Sequence, residues 1–548
     1  MARFYITTPI YYPSGEPHLG HLYTTLCADA LARYHRLAGD AVHFLTGTDE
    51  HGIKMVKTAA EKGIEPAELA EQMMTRFASA FEEFEVTNDD FIRTSSDRHK
   101  AGAQAVVNKM LDAGDIYLGS YEGWYDEGQE EFVSETEAKA NEFKSSISGR
   151  PLTRFTEPSY FFRLEKYVPQ VIAHIEQNPG FIRPESRRNE VLSKLKQGVS
   201  DLSISRRTLT WGVKLPNDPE HVLYVWIDAL SNYVTALGYG LEEGSRDQGI
   251  EGSREATGSP SSPRSLDASS LDPFRMFWPA DVHLIGKEIL WFHTVYWPAM
   301  LLSIGEPLPR CVYAHGWWTV VNPETGKAEK MSKSLGNFIG IERLREYSQT
   351  YSQDAVRWYM LRAAPFGTDL EWSDVEFTRA YAELANVLGN GLNRTLKMVH
   401  KYRDGLVPDP TAGTLVDDAR LLLDEAAKLP AELAAAYAEL ELQRAAMLPL
   451  NLARQMNAYV DATEPFKLAK DPARSDRLDA VLHHMVQAIF RALVALLPVL
   501  PHKAAEGLGQ LNIDPAGRTM AELLEAGVPV GHKLGEGTPL FPRVDVPA

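Results

Sequence analysis

The sequence predicts an α/β chain in which a parallel sheet is split by an inserted domain and followed by an all-α helix bundle. Three observations lead there. The chain opens with strand, loop, helix and strand in that order, and the same grammar returns after about residue 222. Beyond about residue 375 the strand signals stop and apolar residues recur with helical period. At 548 residues the chain is also too long for one core, and roughly three or four structural units are expected.

The first strand is read at Phe4–Thr8, followed by a Pro-, Gly- and Ser-rich loop from Pro9 to Pro17. Leu22, Leu26, Ala30 and Leu37 then mark a helix, and Ala41–Leu45 a second strand that ends in the loop Thr46-Gly47-Thr48-Asp49-Glu50-His51-Gly52. Such a βαβ unit implies a parallel sheet, whose ligands bind beyond the carboxyl ends of its strands. Residues 116–222 read as an inserted domain of mixed, strand-poor chemistry. The sheet pattern resumes over 223–322, with Leu223–Trp226 leading into DALSNYVTAL and Val282–Gly286 leading into KEILWFHTVYWPAML. Within it, 241–272 has almost no large apolar residues and reads as a flexible surface insertion. A loop region, 323–377, precedes the helical domain, 378–525, with periodic segments at 378–402, 416–438, 441–462 and 474–499. The tail, 526–548, contains LGEGTPLFPRVDV and is expected to dock back onto the body.

Hydrophobic content of 44% and charged content of 24% are ordinary for a soluble globular protein. The N-terminus lacks the apolar run of a signal peptide. The longest apolar run, Ala488–Pro501, is too short to cross a bilayer and reads as a buried helix. With only two cysteines, Cys27 and Cys311, a disulfide framework is not expected, and a cytoplasmic location is the default. The net charge of −18 describes the whole surface and neither supports nor excludes an RNA partner.

Two short motifs carry phosphate chemistry. His18-Leu19-Gly20-His21 falls where the first strand gives way to the first helix, so a nucleotide there would meet backbone N–H groups and the positive end of the helix dipole. Gly20 leaves room for an adenine ring, and the two imidazoles can donate to charge building on a phosphate. Alone, such a string equally fits a helix start with incidental histidines. Lys330-Met331-Ser332-Lys333-Ser334 reads as a mobile loop whose ammonium groups suit departing pyrophosphate, or as a merely solvated basic loop. No P-loop pattern occurs.

In this order, the two motifs resemble the HIGH and KMSKS signatures of class I aminoacyl-tRNA synthetases. TTPIYYPSGEPHLGH, TGTDEHG, YVWIDALSNY, HLIGKEILWFHTVYWPAML, HGWWTV and KMSKSLGN are similar to the methionyl-tRNA synthetases in particular. The resemblance implies a Rossmann-like catalytic domain that activates methionine with ATP and transfers it to tRNA(Met). It implies that Tyr12, His18, Gly20, His21, Lys330, Ser332 and Lys333 face ATP, with His18, His21, Lys330 and Lys333 catalytic. It places Ile10, Tyr12, Trp226, Ala229, Leu230, Tyr233, Ile289 and His293 around the methionine side chain, and Asp49 on its ammonium group. Aromatic rings suit a polarizable thioether, and Tyr12 or His293 could offer the sulfur a hydrogen bond. Without the resemblance, Trp226 and Tyr233 are read as core and Asp49 as a turn residue.

The family often holds a zinc knuckle of four cysteines in its insertion. Here Gly119–Tyr160 contains neither Cys nor His, so no zinc is expected, and Asp126 and Glu130 read as a solvated turn. Mg²⁺ is expected to accompany ATP without a protein cage. An insertion of this size leaves little room for an editing domain. In the helical region the resemblance implies anticodon contacts from Asn390, Arg394 and Phe466, the last standing where the family commonly has Trp. A solvated helix face and a core Phe are the plain alternatives. The chain ends soon after Val546 without an added OB-fold domain, and a monomer without membrane attachment is expected. Two rival readings remain: a small-molecule nucleotidylyltransferase, which does not need the long helical region, and a non-catalytic RNA-binding relative, against which the intact His and Lys motifs argue.

Overall fold

The computed structural model describes residues 2–128, 131–133, 135–241, 272–321, 328–331, 338–363, 365, 367–410 and 417–544. By packing, the chain falls into two compact units, one made of residues 1–2, 18–41 and 316–548, the other of 3–17 and 42–315. The flexible insertion expected at 241–272 falls, over 242–271, outside the described residues.

The unit of 3–17 and 42–315 is built on a six-stranded parallel sheet. Its strands are β1 (Arg3–Thr7), β2 (Ala41–Thr48), β3 (Asp90–Arg93), β4 (Ile182–Arg183), β5 (Val282–Gly286) and β6 (Val312–His315). They lie in the order β3-β2-β1-β5-β6-β4, so the strand order reverses between β1 and β5. In an open α/β sheet that switch point is where a ligand crevice forms. β5 is buried throughout; Val282, Leu284 and Ile285 are apolar, and His283 between them is satisfied by hydrogen bonds with Thr7 Oγ1 (2.8 Å) and Trp297 Nε1 (3.2 Å).

β2 continues three residues beyond the predicted end, through Thr46-Gly47-Thr48, because this stretch is buried and pairs with β3. Gly47 is demanded by that pairing, since a Cβ there would lie 2.0 Å from the Ile92 carbonyl oxygen. A second boundary also moves. The strand read at Leu223–Trp226 is Asp218–Leu223, and Trp226 belongs to the helix Val225–Thr235. That strand joins a small antiparallel sheet with Lys214–Leu215 and Ser205–Arg206, and not the parallel one. An unbroken apolar run carries no period, so strand and helix cannot be told apart in it.

The insertion is not strand-poor. Ile116–Asp126 and Thr153–Phe162 pair antiparallel within a four-stranded sheet completed by Glu131–Val133 and Leu202–Ser203. Gly119, Ser120, Gly123 and Pro158 dilute the alternation that would have announced it. The same stretch of chain supplies β4, the edge of the parallel sheet.

In the unit of 18–41 and 316–548, α1 (Leu19–Ala38) is surrounded by later sequence. Tyr23 meets Trp318 edge to face at 5.5 Å, and Tyr34 stacks on Tyr437 at 3.9 Å. Asp29 is fully buried, accepts a hydrogen bond from Arg33 Nε (2.7 Å) and forms an ion pair with the buried Arg357 (2.6 Å). Arg357 in turn donates to the carbonyls of Val499 and Pro498, both at 3.3 Å. The periodic segments form the helices Asn390–Arg403, Asp417–Ala438, Leu442–Thr463 and Ser475–Leu496. Residues Pro472–Leu496 are long and apolar enough to cross a membrane by composition, yet 78% of their most apolar stretch is buried in the unit. The tail docks as expected: Leu534 N–H donates to Gly405 O (2.8 Å), and Tyr381 Oη donates to Pro542 O (2.6 Å).

Candidate active site

The sheet topology explains why the predicted pocket residues are so far apart in sequence. Ile10 and Tyr12 follow β1, Asp49 follows β2, and Ile289 and His293 follow β5, so all five leave the carboxyl ends of strands at or beside the switch point. Trp226, Ala229, Leu230 and Tyr233 come from the helix Val225–Thr235, where their spacing puts them on one face. Leu230 and Tyr233 are buried in one apolar core, and Ile10, Tyr12, Trp226 and Ile289 lie half-buried against it. Phe292, which sequence reasoning missed, stacks on Trp226 at 3.7 Å with ring planes 5° apart.

His293 sits in a short π-helical turn, Phe292–Tyr296, a local distortion common at functional sites. Its Nδ1 donates to Ile289 O at 2.9 Å, so in the neutral ring Nε2 is an acceptor, and Tyr233 Oη donates to it at 2.7 Å. Burial holds the imidazole neutral, with a pKa lowered to about 4. Tyr12 Oη donates to His51 O at 2.6 Å. The donors expected for a substrate sulfur are therefore committed elsewhere: neutral His293 has no second proton, and the Tyr12 hydroxyl is spent on the backbone.

The loop after β2 is braced on several sides. Glu50 is fully buried and accepts from Thr48 Oγ1 (2.7 Å), Arg93 Nε (2.8 Å) and the Ser95 hydroxyl. Glu50 is thus scaffold, while its buried neighbour Asp49 has its N–H bound to Tyr11 O at 2.9 Å. His51 Nδ1 lies 2.6 Å from Asp228 Oδ2. None of these pairings has a local sequence signal; a lone acid in the apolar helix 225–235 was the available hint.

The imidazole turn lies in the other unit. His18 is the N-cap of α1, and its Nδ1 accepts from Gly20 N–H at 3.1 Å. His21 Nδ1 accepts from His18 N–H at 3.3 Å, and the two rings stack at 3.7 Å. With Nδ1 of each ring accepting from backbone, the neutral proton of each sits on Nε2, which makes both donors. A Cβ on Gly20 would crowd the His18 ring at 3.1 Å, so this glycine also serves its own cap.

The strand before the lysine loop pairs with one that packs on α1, and the chain after the loop meets the start of α1 directly. The strand Ala328–Lys330 pairs with Trp318–Val321, bringing the Lys330 backbone opposite Thr319, and Trp318 packs on Tyr23 of α1. Past the loop, Ile339 O accepts from Leu19 N–H at 3.0 Å, Gly340 bridges to His18, and the Phe338 ring meets the His18 ring at 5.3 Å. Ser332 and Lys333 lie outside the described residues.

Of the residues assigned to the anticodon, Asn390 is exposed at the start of the helix Asn390–Arg403, directly after a π-helical turn, Ala385–Gly389. Arg394 follows one turn later and pairs with Asp461 at 2.8 Å, and Phe466 is 42% exposed. In the insertion, Asp126 is buried and accepts from Gly128 N–H at 2.9 Å, so it caps a turn and is not a solvated acid. There the Trp124 ring packs on Phe143 at 4.7 Å, and its indole N–H donates to Glu135 at 2.7 Å. Among the described residues no group of three or more His, Cys, Asp or Glu is arranged to hold a metal ion.

Residues 4–396 match the family model of class I tRNA synthetases (M). The methionine–tRNA ligase of Bacillus subtilis is 41% identical over 554 residues, spanning 99% of this chain and 78% of the relative. That of Halalkalibacterium halodurans is 40% identical over 555 residues, with coverage of 99% and 78%. Among solved structures, Mycobacterium tuberculosis methionyl-tRNA synthetase in complex with methionyl-adenylate superposes with a TM-score of 0.87 at 36% identity, over 99% of this chain and 100% of that one. The free form of that enzyme gives 0.80 at 34% identity, over 100% and 99%.

Proposed function

The chain belongs to the methionyl group of the class I tRNA synthetases, and from that premise we propose how its residues share the work. The established part is the reaction: L-methionine is activated with ATP to methionyl-adenylate and transferred to tRNA. In the first step a methionine carboxylate oxygen attacks the α-phosphorus, and the bond to the β-phosphate breaks as pyrophosphate leaves. The terminal ribose of tRNA(Met) then attacks the mixed anhydride and AMP leaves. Both steps rest on positioning and charge stabilisation, since no enzyme nucleophile is needed.

We assign the Nε2–H groups of His18 and His21, with the N-terminal N–H groups of α1, to the ATP phosphates, together with Tyr12 and Gly20. Lys330, Ser332 and Lys333 hold the charge that develops on pyrophosphate. Mg²⁺ enters with ATP as its counter-ion. The insertion offers no soft ligands, so zinc has no part in this reading. Asp49 takes the substrate ammonium. Ile10, Tyr12, Trp226, Ala229, Leu230, Tyr233, Ile289 and His293 take the side chain. Asn390, Arg394 and Phe466 read the anticodon. We take the chain to act as a monomer in the cytoplasm, where thiols such as those of Cys27 and Cys311 stay reduced. The observation that carries the phosphate assignment is the contact of Phe338, Ile339 and Gly340 with His18 and Leu19, because it seats the end of the lysine loop on the imidazole turn.

ATP–pyrophosphate exchange measured with each of the twenty amino acids tests the substrate reading. Methionine should support the fastest exchange, with leucine and other apolar competitors slower by roughly 10–200-fold per missing or displaced methylene-sized contact. Faster exchange with any other amino acid would overturn the pocket assignment.

A further inference from the structure

The face of the helix Val225–Thr235 opposite the pocket carries a single carboxylate, Asp228, only 1% exposed. Each of its oxygens is gripped by a histidine from a different segment. Oδ2 lies 2.6 Å from His51 Nδ1, and Oδ1 lies 2.8 Å from His99 Nε2. An ionised carboxylate only accepts, so these two ring nitrogens carry protons. The other nitrogen of His99, Nδ1, reaches Thr235 Oγ1 at 2.8 Å, two turns further along the same helix. Burial by itself pushes the Asp228 carboxyl up; the two histidines, His51 foremost, outweigh it and hold its pKa at about 2. The carboxylate therefore stays charged through the working pH range.

The helix is also seated tightly at this face. A Cβ on Gly102, in the helix Asp97–Asp112, would lie 2.5 Å from the Thr235 side chain. On the other side, His51 belongs to the loop that carries Asp49, its carbonyl holds Tyr12, and its ring meets Trp211 edge to face at 5.3 Å. Trp211 Nε1 in turn donates to the neighbouring carbonyl of Glu50 at 2.6 Å. Apolar contacts alone leave a helix free to rotate by small amounts about its axis. Two directional, charge-assisted hydrogen bonds do not.

We infer that Asp228 is a positioning residue for methionine recognition, pinning the back of the helix Val225–Thr235 so that its pocket face and the Asp49 loop keep one register. This rests on the pocket assignment above. Asp228 touches no substrate in this reading; it acts through the rotation of the helix and the placement of the loop. Asp228→Asn is nearly isosteric and retains one acceptor for His51, but it removes the charge and sets an amide N–H against the His99 Nε2–H, which breaks the second bond.

The test is ATP–pyrophosphate exchange on the full chain, with active-site titration to correct for inactive protein. Asp228→Asn should raise KM for methionine about 10–100-fold while KM for ATP moves less than about threefold, and the preference for methionine over leucine should fall. A purely structural role would lower the active fraction and leave both KM values alone, and that result would overturn the proposal. His99→Gln, a milder perturbation of the same carboxylate, serves if the Asn variant does not fold. It should raise KM for methionine about fivefold, and an unchanged value in folded protein would also refute the inference. Tyr233→Ala, run alongside, separates the two readings. If it leaves KM for methionine unchanged the pocket assignment fails; if it raises KM while the Asp228 and His99 variants do not, only the positioning role fails.

Discussion

The pocket and the imidazole turn use the same side chain in opposite ways. His293 is 1% exposed, with both ring nitrogens hydrogen-bonded inside the protein and its charged form suppressed. His18 and His21 are half-buried at a helix N-terminus, where accepting backbone N–H groups fixes the proton on the outer nitrogen. The difference matches the substrate part that each is proposed to meet. A neutral thioether is recognised by shape and polarizability, so a fixed, uncharged ring serves best. A phosphate undergoing displacement builds charge, so the side chain must present donors already aimed at it. On the proposed assignment, selectivity and rate call on different preparations of one functional group.

The strongest way to break this comparison is to remove charge stabilisation alone. Lys333→Ala should slow ATP–pyrophosphate exchange by about 10²–10³-fold, the usual effect of deleting one donor to a transition state, with KM for methionine within about twofold. If KM for methionine rose in parallel, the pocket and the phosphate machinery would not be separable in the way described.

A third region sharpens the contrast. Phe466 is an exposed aromatic, and the Arg394–Asp461 pair is at the surface, where such pairs contribute little to stability. Phe466→Ala should therefore leave exchange and thermal stability unchanged and weaken aminoacylation, raising KM for tRNA roughly tenfold, as expected for loss of one stacked base. Steady-state charging with tRNA transcripts reads this out, and an unaltered KM would remove Phe466 from the interface.

The smallest effect concerns His293 and acid. Its folded pKa of about 4 lies below the ordinary 6.5, so between those values the unfolded chain binds a proton that the folded chain refuses. Stability is then unaffected by this group above pH about 6.5 and falls as pH drops towards 4. The shift corresponds to a ceiling of about 3 kcal/mol and, after relaxation, to about 1–2 kcal/mol. His293→Gln should flatten this part of the stability–pH curve in chemical denaturation by that amount; an unchanged slope would show that His293 is already protonated in the fold.

How far the sequence could be read depended on whether local pattern or distant partner decided each feature. β5 and the helical segments were legible because burial on both faces, or a sustained helical period, leaves a signature in consecutive residues. Trp226 was misplaced in a strand because Val222 to Ile227 is apolar without interruption. The insertion's long antiparallel pair escaped notice because Leu118, at 59% exposure, and the glycines around it lack a buried alternating face. The pocket residues came from resemblance, not from periodicity. Asp228 and His51 are 177 positions apart, and their pairing exists only once helix and sheet are assembled. Asp126 shows the converse: a short acidic turn looked solvated, yet the fold buries it as a cap.

One buried ion pair joins these themes. Asp29, three turns into α1, is bound to Arg357, whose guanidinium also holds the carbonyls of Pro498 and Val499. Breaking such a pair leaves an uncompensated charge in a dry interior, which makes the joint stiff. The helix that begins at the imidazole turn and the backbone just beyond the helix Ser475–Leu496 are consequently tied together at one buried, charged point.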